Sequence, residues 1–499
     1  MSSTSPINPS AKPPRRFLVR AVFIVACLAT LIVALFIEEK IRGRAAWRAY
    51  ETEARARGVK LDFADYIPPA IPDAENFASI PIFDDAFRAS HANQPMPNPL
   101  SLLAQPDNKL PKFDSPMRGE RIDLAAWQEF FVKAKLLPAA GDNPAADVLK
   151  ALDTFAAPLA QLREAGIRPH CRFPVQWEKG FAAMLPHIQI LHSAAKLYAL
   201  RLSAHLALGD STAACEDFRD GLRLVTATTA EPALIAGLVR ISLAGVMENA
   251  AWGGLAGHQW AEPELRKIEA DLAGLDWLKD YLLAMGSERG GSNMMTDMLI
   301  KNPRHLADIM RMIGVGGVIQ RGALTFSLYP TGWLYQSKVR SNQFFDKMSA
   351  RIDHGQRRFF SERPVHSGSA IEGTLSQIYH MLFLTITPAL KPVEQRYLHT
   401  ATVTDHARLA CALDRFRIAR GAFPEALSEL TPDFLPTLPV EIMNGEPYRY
   451  RRTDDGSFLL YSVGLDLRDD DGIIDPKMRA DWRASPTDPP DWVWRYPAK

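Results

Sequence analysis

The strongest feature of the hydrophobic pattern is a run of seventeen residues, AVFIVACLATLIVALFI, from Ala21 to Ile37. Thr30 is its only polar side chain, and residues 17–19 extend the apolar stretch. At about 1.5 Å per residue, a helix over residues 17–37 spans roughly 30 Å, the thickness of a bilayer's hydrocarbon core. A cleaved signal peptide would end in small residues, whereas this run ends in LFIEEK. The pattern therefore predicts an uncleaved transmembrane helix at residues 17–37.

Charged residues on both sides of this helix bear on its orientation. Residues 1–16 carry basic side chains and no acidic one, whereas Glu38 and Glu39 directly follow the apolar run and precede further basic residues. Because the cytoplasmic flank of a membrane helix is usually the more basic one, we expect residues 1–16 to form a cytoplasmic tail. The bulk of the chain is then extracytoplasmic and is attached to the membrane by a single span.

Two segments are predicted between the membrane and the body. Residues 38–58 contain few helix breakers and are predicted to continue the membrane helix outward as a juxtamembrane helix, as far as Gly58. Ten prolines then fall between Pro68 and Pro116, and this density removes backbone donors and disfavours regular helix. Because isoleucine and phenylalanine are interspersed among them, we expect residues 59–120 to form an extended strap across the body.

Helical periodicity is clearest between residues 181 and 286. Spacings of three and four place five apolar residues on one helix face: Leu191, Ala195, Tyr198, Leu202 and Leu206. Gly209 then predicts a helix end, and Asp210 predicts the N-cap of a second helix. The hairpin resembles one tetratricopeptide repeat, but its pattern does not recur about 34 residues later. We therefore expect an irregular helical-array body at residues 121–395, with a peptide-binding solenoid as the alternative.

The pattern changes again towards the C-terminus. Residues 407–420 read as a helix, and Gly421 is a natural stop. Short runs at 447–452 and 457–463 flank an Asp-Gly pair of the kind that a tight hairpin turn requires. We expect a small α+β C-terminal module with a β-hairpin at residues 396–475 and a tail at 476–499. The predicted fold class is therefore mainly α.

The order of short motifs in this module resembles the C-terminal domain of the type II secretion major pseudopilin. The residues that carry the resemblance are Gly421, Phe423, Pro424, Leu438, Pro439, Gly445, Pro447, Tyr448, Tyr450, Ser462, Gly464 and Asp466. In that family the acidic loop binds calcium, so the resemblance implies a calcium site with four carboxylates as its oxygen ligands: Asp466, Asp469, Asp471 and Asp475. A solvated acidic turn is the alternative. The whole arrangement resembles uncharacterised membrane-anchored bacterial envelope proteins, a family that implies no activity. This resemblance implies that the membrane is a bacterial cytoplasmic (inner) membrane.

Composition and motifs narrow the function mainly by exclusion. A net charge of +1 over 499 residues provides no basic field, so we expect no nucleic-acid partner. HExxH, GxSxG and GxGxxG motifs are absent from the sequence. The remaining candidates for chemistry are the adjacent His170 and Cys171 and two histidine pairs, His187 with His192 and His399 with His406.

These observations favour a non-enzymatic scaffold or assembly factor. Its expected partners are the lipid bilayer, through the N-terminal helix, and other proteins of the cell envelope. No cofactor is expected apart from the calcium that the resemblance implies. The alternative is an extracytoplasmic, membrane-anchored hydrolase whose site is assembled from residues distant in sequence.

Overall fold

The computed structural model describes residues 15–101, 110–111, 113, 119–302, 330–363, 390–473, 491–494 and 496, and it is mainly helical, as predicted. The α-helices are α1 (Arg15–Ala56), α2 (Pro81–His91), α3 (Leu124–Lys133), α4 (Pro144–Leu152), α5 (Ala156–Ala165), α6 (His187–Ala207), α7 (Ser211–Ala227), α8 (Leu234–Ala256), α9 (Glu262–Ala273), α10 (Trp277–Lys301), α11 (Thr331–Ala350) and α12 (Leu390–Arg420). The strands are β1 (Ile352–Asp353), β2 (Arg358–Phe359), β3 (Arg449–Arg452), β4 (Phe458–Ser462) and β5 (Trp492–Trp494).

The described residues divide into two compact units. Unit 1 contains those of Met1–Val59 and Ser292–Asn342, and unit 2 contains those of Lys60–Gly291, Gln343–Ser367 and Ile386–Lys499. The helices α10 and α11 each contribute residues to both units.

Helix α1 dominates unit 1 and continues without a break from the apolar run through the predicted juxtamembrane segment. Its apolar part is long enough to cross a membrane, and no other segment among the described residues buries it. Beyond that part, a stripe at helical spacing becomes buried: Gly43, Trp47, Tyr50 and Ala54. The helix ends at Ala56, and Gly58 follows with a left-handed φ of 76°, which confirms the predicted end of the helix.

The core of unit 2 is built by α6, α7, α8, α9 and α12. The five residues predicted to form one face of α6 are all at most 3% exposed. Gly209 adopts a φ of 80°, and the Asp210 carboxylate accepts the backbone N–H of Ala213 at 2.9 Å, so the predicted helix end and N-cap are confirmed. Gly221 of α7 lies against the Met247 side chain of α8, where a larger residue would separate the two helices.

Helix α8 is also long and apolar enough to cross a membrane by length and composition. Half of its most apolar stretch is buried within unit 2, where it packs against α6, α7 and α12. A helix that is apolar on several faces is typical of a buried core helix, and the buried positions of α8 include Met247, Trp252 and Leu255.

The predicted extended strap at residues 59–120 is partly wrong, because it contains the regular helix α2. Pro81 occupies the first turn of α2, where the backbone N–H would have no helical partner in any case and a proline costs nothing. The apolar side chains of α2, including Phe83 and Phe87, are buried in unit 2. Of the predicted segment, residues 102–109, 112 and 114–118 lie outside the described residues.

The C-terminal hairpin is confirmed, but its predicted boundaries are not. Strands β3 and β4 pair antiparallel, with Tyr450 opposite Leu460, around a turn in which Gly456 adopts a φ of 79°. The boundary predicted between residues 395 and 396 falls inside α12, a single helix of 31 residues. The predicted tail supplies a third strand, β5, which pairs antiparallel with β4.

Candidate functional site

A cluster of charged side chains lies where α5, α6 and α7 meet in unit 2. Asp217 and Asp220 are three residues apart on α7 and therefore project from the same side of that helix. Arg163 reaches them from α5 and Arg201 from α6, while Arg223 lies one turn after Asp220. We call these five residues the arginine cluster.

The two aspartates hold the three arginines in fixed directions. The Nε of Arg163 and the Nη1 of Arg223 donate to the two carboxylate oxygens of Asp220, both at 2.5 Å. The Nε of Arg201 donates to Asp217 Oδ1 at 3.0 Å. The aspartate side chains are at most 4% exposed, whereas those of Arg163, Arg201 and Arg223 are 46%, 21% and 38% exposed.

Burial shapes the electrostatics of this cluster. It raises the pKa of Asp217 to about 6, although Arg201 and Arg163 oppose that rise. Asp217 Oδ2 has no hydrogen-bond partner among the described residues, and His205 Nε2 lies 3.7 Å from it. Burial, together with the charge of Arg201, lowers the pKa of His205. The buried carboxylate therefore begins to take up a proton near pH 6.

The arrangement suits recognition of an anionic group. Three guanidinium groups face two carboxylates, so the cluster carries an excess of one positive charge. A guanidinium presents a planar set of donors that fits a carboxylate in a bidentate manner, and an arginine already held in place loses less entropy on binding. The partly exposed donors of Arg163 and Arg223 are therefore prepared for an acidic partner.

The adjacent His170 and Cys171 do not form an activated thiol. His170 is exposed and takes part in a backbone bridge to Asn76. Burial, and then the charge of Glu231, raises the pKa of the Cys171 thiol well above its usual value. A nucleophilic cysteine needs a lowered pKa, so the environment of Cys171 does not favour this candidate.

His187 is fully buried, and sequence reasoning missed its partner. Its Nε2 lies 2.8 Å from Glu231 Oε1, although the contact lacks the geometry of a directed hydrogen bond. The ring stacks at 4.0 Å on Phe173 and at 5.6 Å on Phe87. His192 is partly exposed, and burial lowers its pKa. The two predicted histidines thus have separate environments, and that of His187 is a packed core.

His399 and His406 do lie on one face of α12, as their spacing predicts; His406 is buried, whereas His399 is partly exposed. Burial lowers the pKa of His399 to about 4 and that of His406 to about 3, with a further contribution from His399. The rings contact Trp492 and Tyr448 edge to face, at 5.1 and 4.9 Å. These neutral histidines join α12 to the C-terminal sheet.

The acidic loop places three of the four predicted calcium ligands within the described residues. Asp466 Oδ1 accepts the backbone N–H of Arg468 at 3.1 Å, which is a local turn contact. The carboxylate of Asp469 accepts the Tyr461 hydroxyl at 2.9 Å. Asp471 adopts a left-handed φ of 60°, and Asp475 lies outside the described residues.

Asp491 is a further member of this acidic region that sequence reasoning missed. One of its carboxylate oxygens accepts the backbone N–H groups of Asp470 and Gly472, at 3.1 and 2.9 Å. In the part of the chain that the structure describes, no group of three or more His, Cys, Asp or Glu side chains is arranged to hold a metal ion. The calcium site therefore stays a prediction.

A second missed arrangement surrounds His258, in the loop after α8. Its Nδ1 lies 3.3 Å from Asp414 Oδ1, and the hydroxyl of Tyr496 lies 2.8 Å from its Nε2. Asp414 is 1% exposed and accepts the Nε of Arg417 at 2.6 Å. The His258 side chain is 43% exposed, and its φ of 52° is rare for a residue with a Cβ. No local sequence pattern could reveal this pair, because 156 positions separate His258 from Asp414.

The chain was compared with known proteins at three levels. No family model, curated protein or solved structure matches it. The geometry of the described residues therefore carries the functional argument, and the resemblance to the pseudopilin domain stays a prediction.

Proposed function

We propose that this protein is a single-pass, membrane-anchored scaffold of the cell envelope, which binds an acidic segment of a partner protein through the arginine cluster. The single observation that carries this proposal is the set of three partly exposed arginines held in place by two buried aspartates. The long apolar surface of α1 supports the anchoring. We propose the bacterial inner membrane, with an extracytoplasmic body, as the location.

The physical argument rests on preorganisation. A free arginine loses about 2 kcal/mol of rotamer entropy when it is fixed. The arginines of the cluster are already restricted by their ion pairs with the buried aspartates, so they lose less entropy when a partner binds. Arginine is also enriched among the residues that dominate the energy of protein interfaces. The ion pairs also help to hold the fold, because each buried aspartate would lose a partner without its arginine. The partly exposed side chains of Arg163 and Arg223 are nevertheless accessible to a partner protein.

Site-specific photo-crosslinking tests the surface directly. A photoreactive amino acid replaces Ala160, which is exposed on α5 one turn before Arg163. The matched control carries it at Ala270, which is exposed on α9. In intact membranes we expect a discrete crosslinked product from position 160 and none of the same mass from position 270. Equal products at the two positions, or none at 160, would contradict the proposed surface.

Conservative substitutions then test the arginines themselves. The double change Arg163→Lys and Arg223→Lys keeps both charges beside Asp220 but removes the bidentate donor geometry. We expect recovery of the crosslinked partner to fall about tenfold, which corresponds to roughly 1.4 kcal/mol. Arg219→Lys is the control. Arg219 lies on α7, as Arg223 does, its side chain is as exposed as that of Arg163 at 46%, and it pairs with Asp271 outside the cluster. A melting measurement verifies that each variant is folded.

The alternative of a hydrolase is favoured by one observation, the exposed His258 held beside the buried Asp414. A histidine oriented by a carboxylate can act as a general base. Purified full-length protein and its His258→Ala variant would be assayed on panels of ester and peptide substrates. Hydrolysis by the unmodified protein that the variant lacks would favour the enzyme, and equal rates would count against it.

A further inference from the structure

Helix α1 provides a depth scale for unit 1. The apolar run ends at Ile37, and each residue beyond it adds about 1.5 Å along the helix axis. By this scale Glu39 lies about 3 Å, Gly43 about 9 Å and Trp47 about 15 Å beyond the hydrocarbon core. The headgroup layer on one side of a bilayer is roughly 5–8 Å thick. Glu39 therefore lies within that layer, and Gly43 lies at its outer edge.

Helix α11 runs beside α1 in the same direction. The backbone of Gly332 lies against the carbonyl group of Glu39. Lys338 contacts α1 further from the membrane, with its Nζ 4.0 Å from the centre of the Trp47 ring. These two contacts align the helices, and they place the first turn of α11 at the depth of Glu39.

Helix α10 runs in the opposite direction and approaches the same depth. Asn342 Nδ2 donates to Asn293 Oδ1 at 2.6 Å, and Lys338 Nζ donates to Asp297 Oδ1 at 2.7 Å. The residue number therefore rises along α10 as it falls along α11. Lys301 is one turn, about 6 Å, beyond Asp297 towards the membrane, which places it near the depth of Gly43.

The side chains at this depth have the composition of a membrane interface. Ile41 of α1, about 6 Å beyond Ile37 along the helix axis, is 66% exposed. Lys40, Arg44 and Lys301 are also exposed here. Long basic side chains extend their charged ends towards headgroup phosphates while their apolar stems remain deeper, and each basic residue near an anionic surface contributes about 1 kcal/mol of attraction.

From these positions we infer that the C-terminal end of α10 and the first turn of α11 lie against the lipid headgroups, so that unit 1 contacts the bilayer through residues outside the membrane span of α1. This lipid-contact surface comprises Lys40, Ile41, Arg44 and Lys301. The inference rests on the membrane anchoring in the proposed function, because the depth scale needs α1 to span the bilayer. It adds a second contact, which restrains the tilt of α1 and the distance of unit 1 from the membrane.

Depth-dependent fluorescence quenching in reconstituted vesicles tests the surface. In full-length protein with Cys27→Ala and Cys171→Ser, a fluorophore is attached to a single cysteine in the place of Lys301. Cys215 and Cys411 can remain, because they are 2% and 0% exposed. With lipids that carry the quencher on the headgroup, we expect the label at 301 to be quenched as strongly as a label at Lys40.

A label at Glu53 is the matched control. This residue is exposed on α1, about 24 Å beyond Ile37 along the helix axis, and should remain unquenched. Equal, weak quenching at 301 and 53 would overturn the lipid contact. A label on native Cys27, with quenchers placed deep in the acyl chains, reports separately on the anchor. If the label on Cys27 is not quenched, the membrane anchoring is wrong; if it is quenched and the label at 301 is not, only the lipid contact is wrong.

Lipid composition provides a second measurement that needs no cysteine at position 301. A label at position 40 is compared in proteins with Lys301 or with Lys301→Glu, in vesicles with and without anionic lipid. We expect the substitution to reduce headgroup quenching at position 40 in anionic vesicles and to have little effect in zwitterionic ones. An unchanged signal in anionic vesicles would contradict a role for Lys301 in binding phosphate.

Discussion

The buried His406 of α12 gives a prediction whose size follows from the structure. His406 has a pKa of about 3 in the folded protein, against 6.5 for an exposed histidine, because burial disfavours its charged form. Between these values the unfolded chain binds one more proton than the folded protein, so stability falls as the pH drops below 6.5. Each pH unit in this range costs about 1.36 kcal/mol, so His406 removes about 2 kcal/mol between pH 7.5 and pH 5.

The substitution His406→Phe isolates this effect. The Nε2 of His406 has no hydrogen-bond partner among the described residues, and a phenylalanine keeps the aromatic contact with Tyr448. We expect the variant to gain about 2 kcal/mol over the unmodified protein as the pH falls to 5, or at most about 4–8 °C in melting temperature. The carboxyl groups of Asp217 and Glu288 have raised pKa values, so they stabilise the folded protein as the pH falls. Both proteins contain these groups, so the difference in stability between the two proteins is not affected.

Melting in detergent micelles at a series of pH values measures this difference. The control is His91→Phe, which makes the same substitution at an exposed histidine, at the end of α2. Parallel melting curves for the unmodified protein and His406→Phe at every pH would refute the assignment of His406 as a buried neutral group.

Three further predictions concern other parts of the fold. Gly43→Val should lower the stability of full-length protein in a melting experiment by about 1–3 kcal/mol, because its Cβ would meet the Gly332 carbonyl; the exposed neighbour Ala45→Val should have little effect. Glu248 is fully buried with a pKa raised to about 8, so its stabilising effect is present below pH 4.5 and is lost as the pH rises to 8. Glu248→Gln should therefore match the unmodified protein near pH 4 and exceed it by roughly 5 kcal/mol at pH 9 in denaturant titrations, at about 1.36 kcal/mol for each pH unit between the two pKa values. If the acidic loop binds calcium, millimolar calcium should raise the melting temperature of the protein, and Asp469→Asn should reduce that rise; no change with calcium would eliminate the site.

Local patterns predicted the elements that depend on neighbouring residues. The α6–α7 hairpin was predictable because its apolar spacing, Gly209 and Asp210 act within one or two turns. The β3–β4 hairpin was predictable for the same reason, since an Asp-Gly pair fixes the turn. Helix α2 was missed because proline density was counted without regard to position, and Pro81 occupies the one place in a helix where it is harmless.

The candidate sites were largely hidden because their residues meet only after folding. Arg163 pairs with Asp220 across 57 positions, and His258 lies beside Asp414 across 156. Arginine and aspartate are common, so no local spacing distinguishes these from other surface charges. A partial signal existed for the arginine cluster, since Asp217, Asp220 and Arg223 recur at three-residue spacing on an otherwise amphipathic helix.

The C-terminal sheet shows why a resemblance to a separable domain does not define a separable unit. The Tyr448 hydroxyl donates to Asp405 Oδ2 at 2.8 Å, and Arg357 donates to both oxygens of the same carboxylate at 2.9 Å. Asp405 is on α12, Tyr448 precedes β3, and Arg357 lies between β1 and β2, so one fully buried carboxylate joins three distant segments. Removing the sheet would leave that charge without one of its donors and would expose His406 to water. The C-terminal module that was predicted to begin at residue 396 is therefore part of the core of unit 2. A partner that binds to the C-terminal sheet would also change the stability of the helices packed against it.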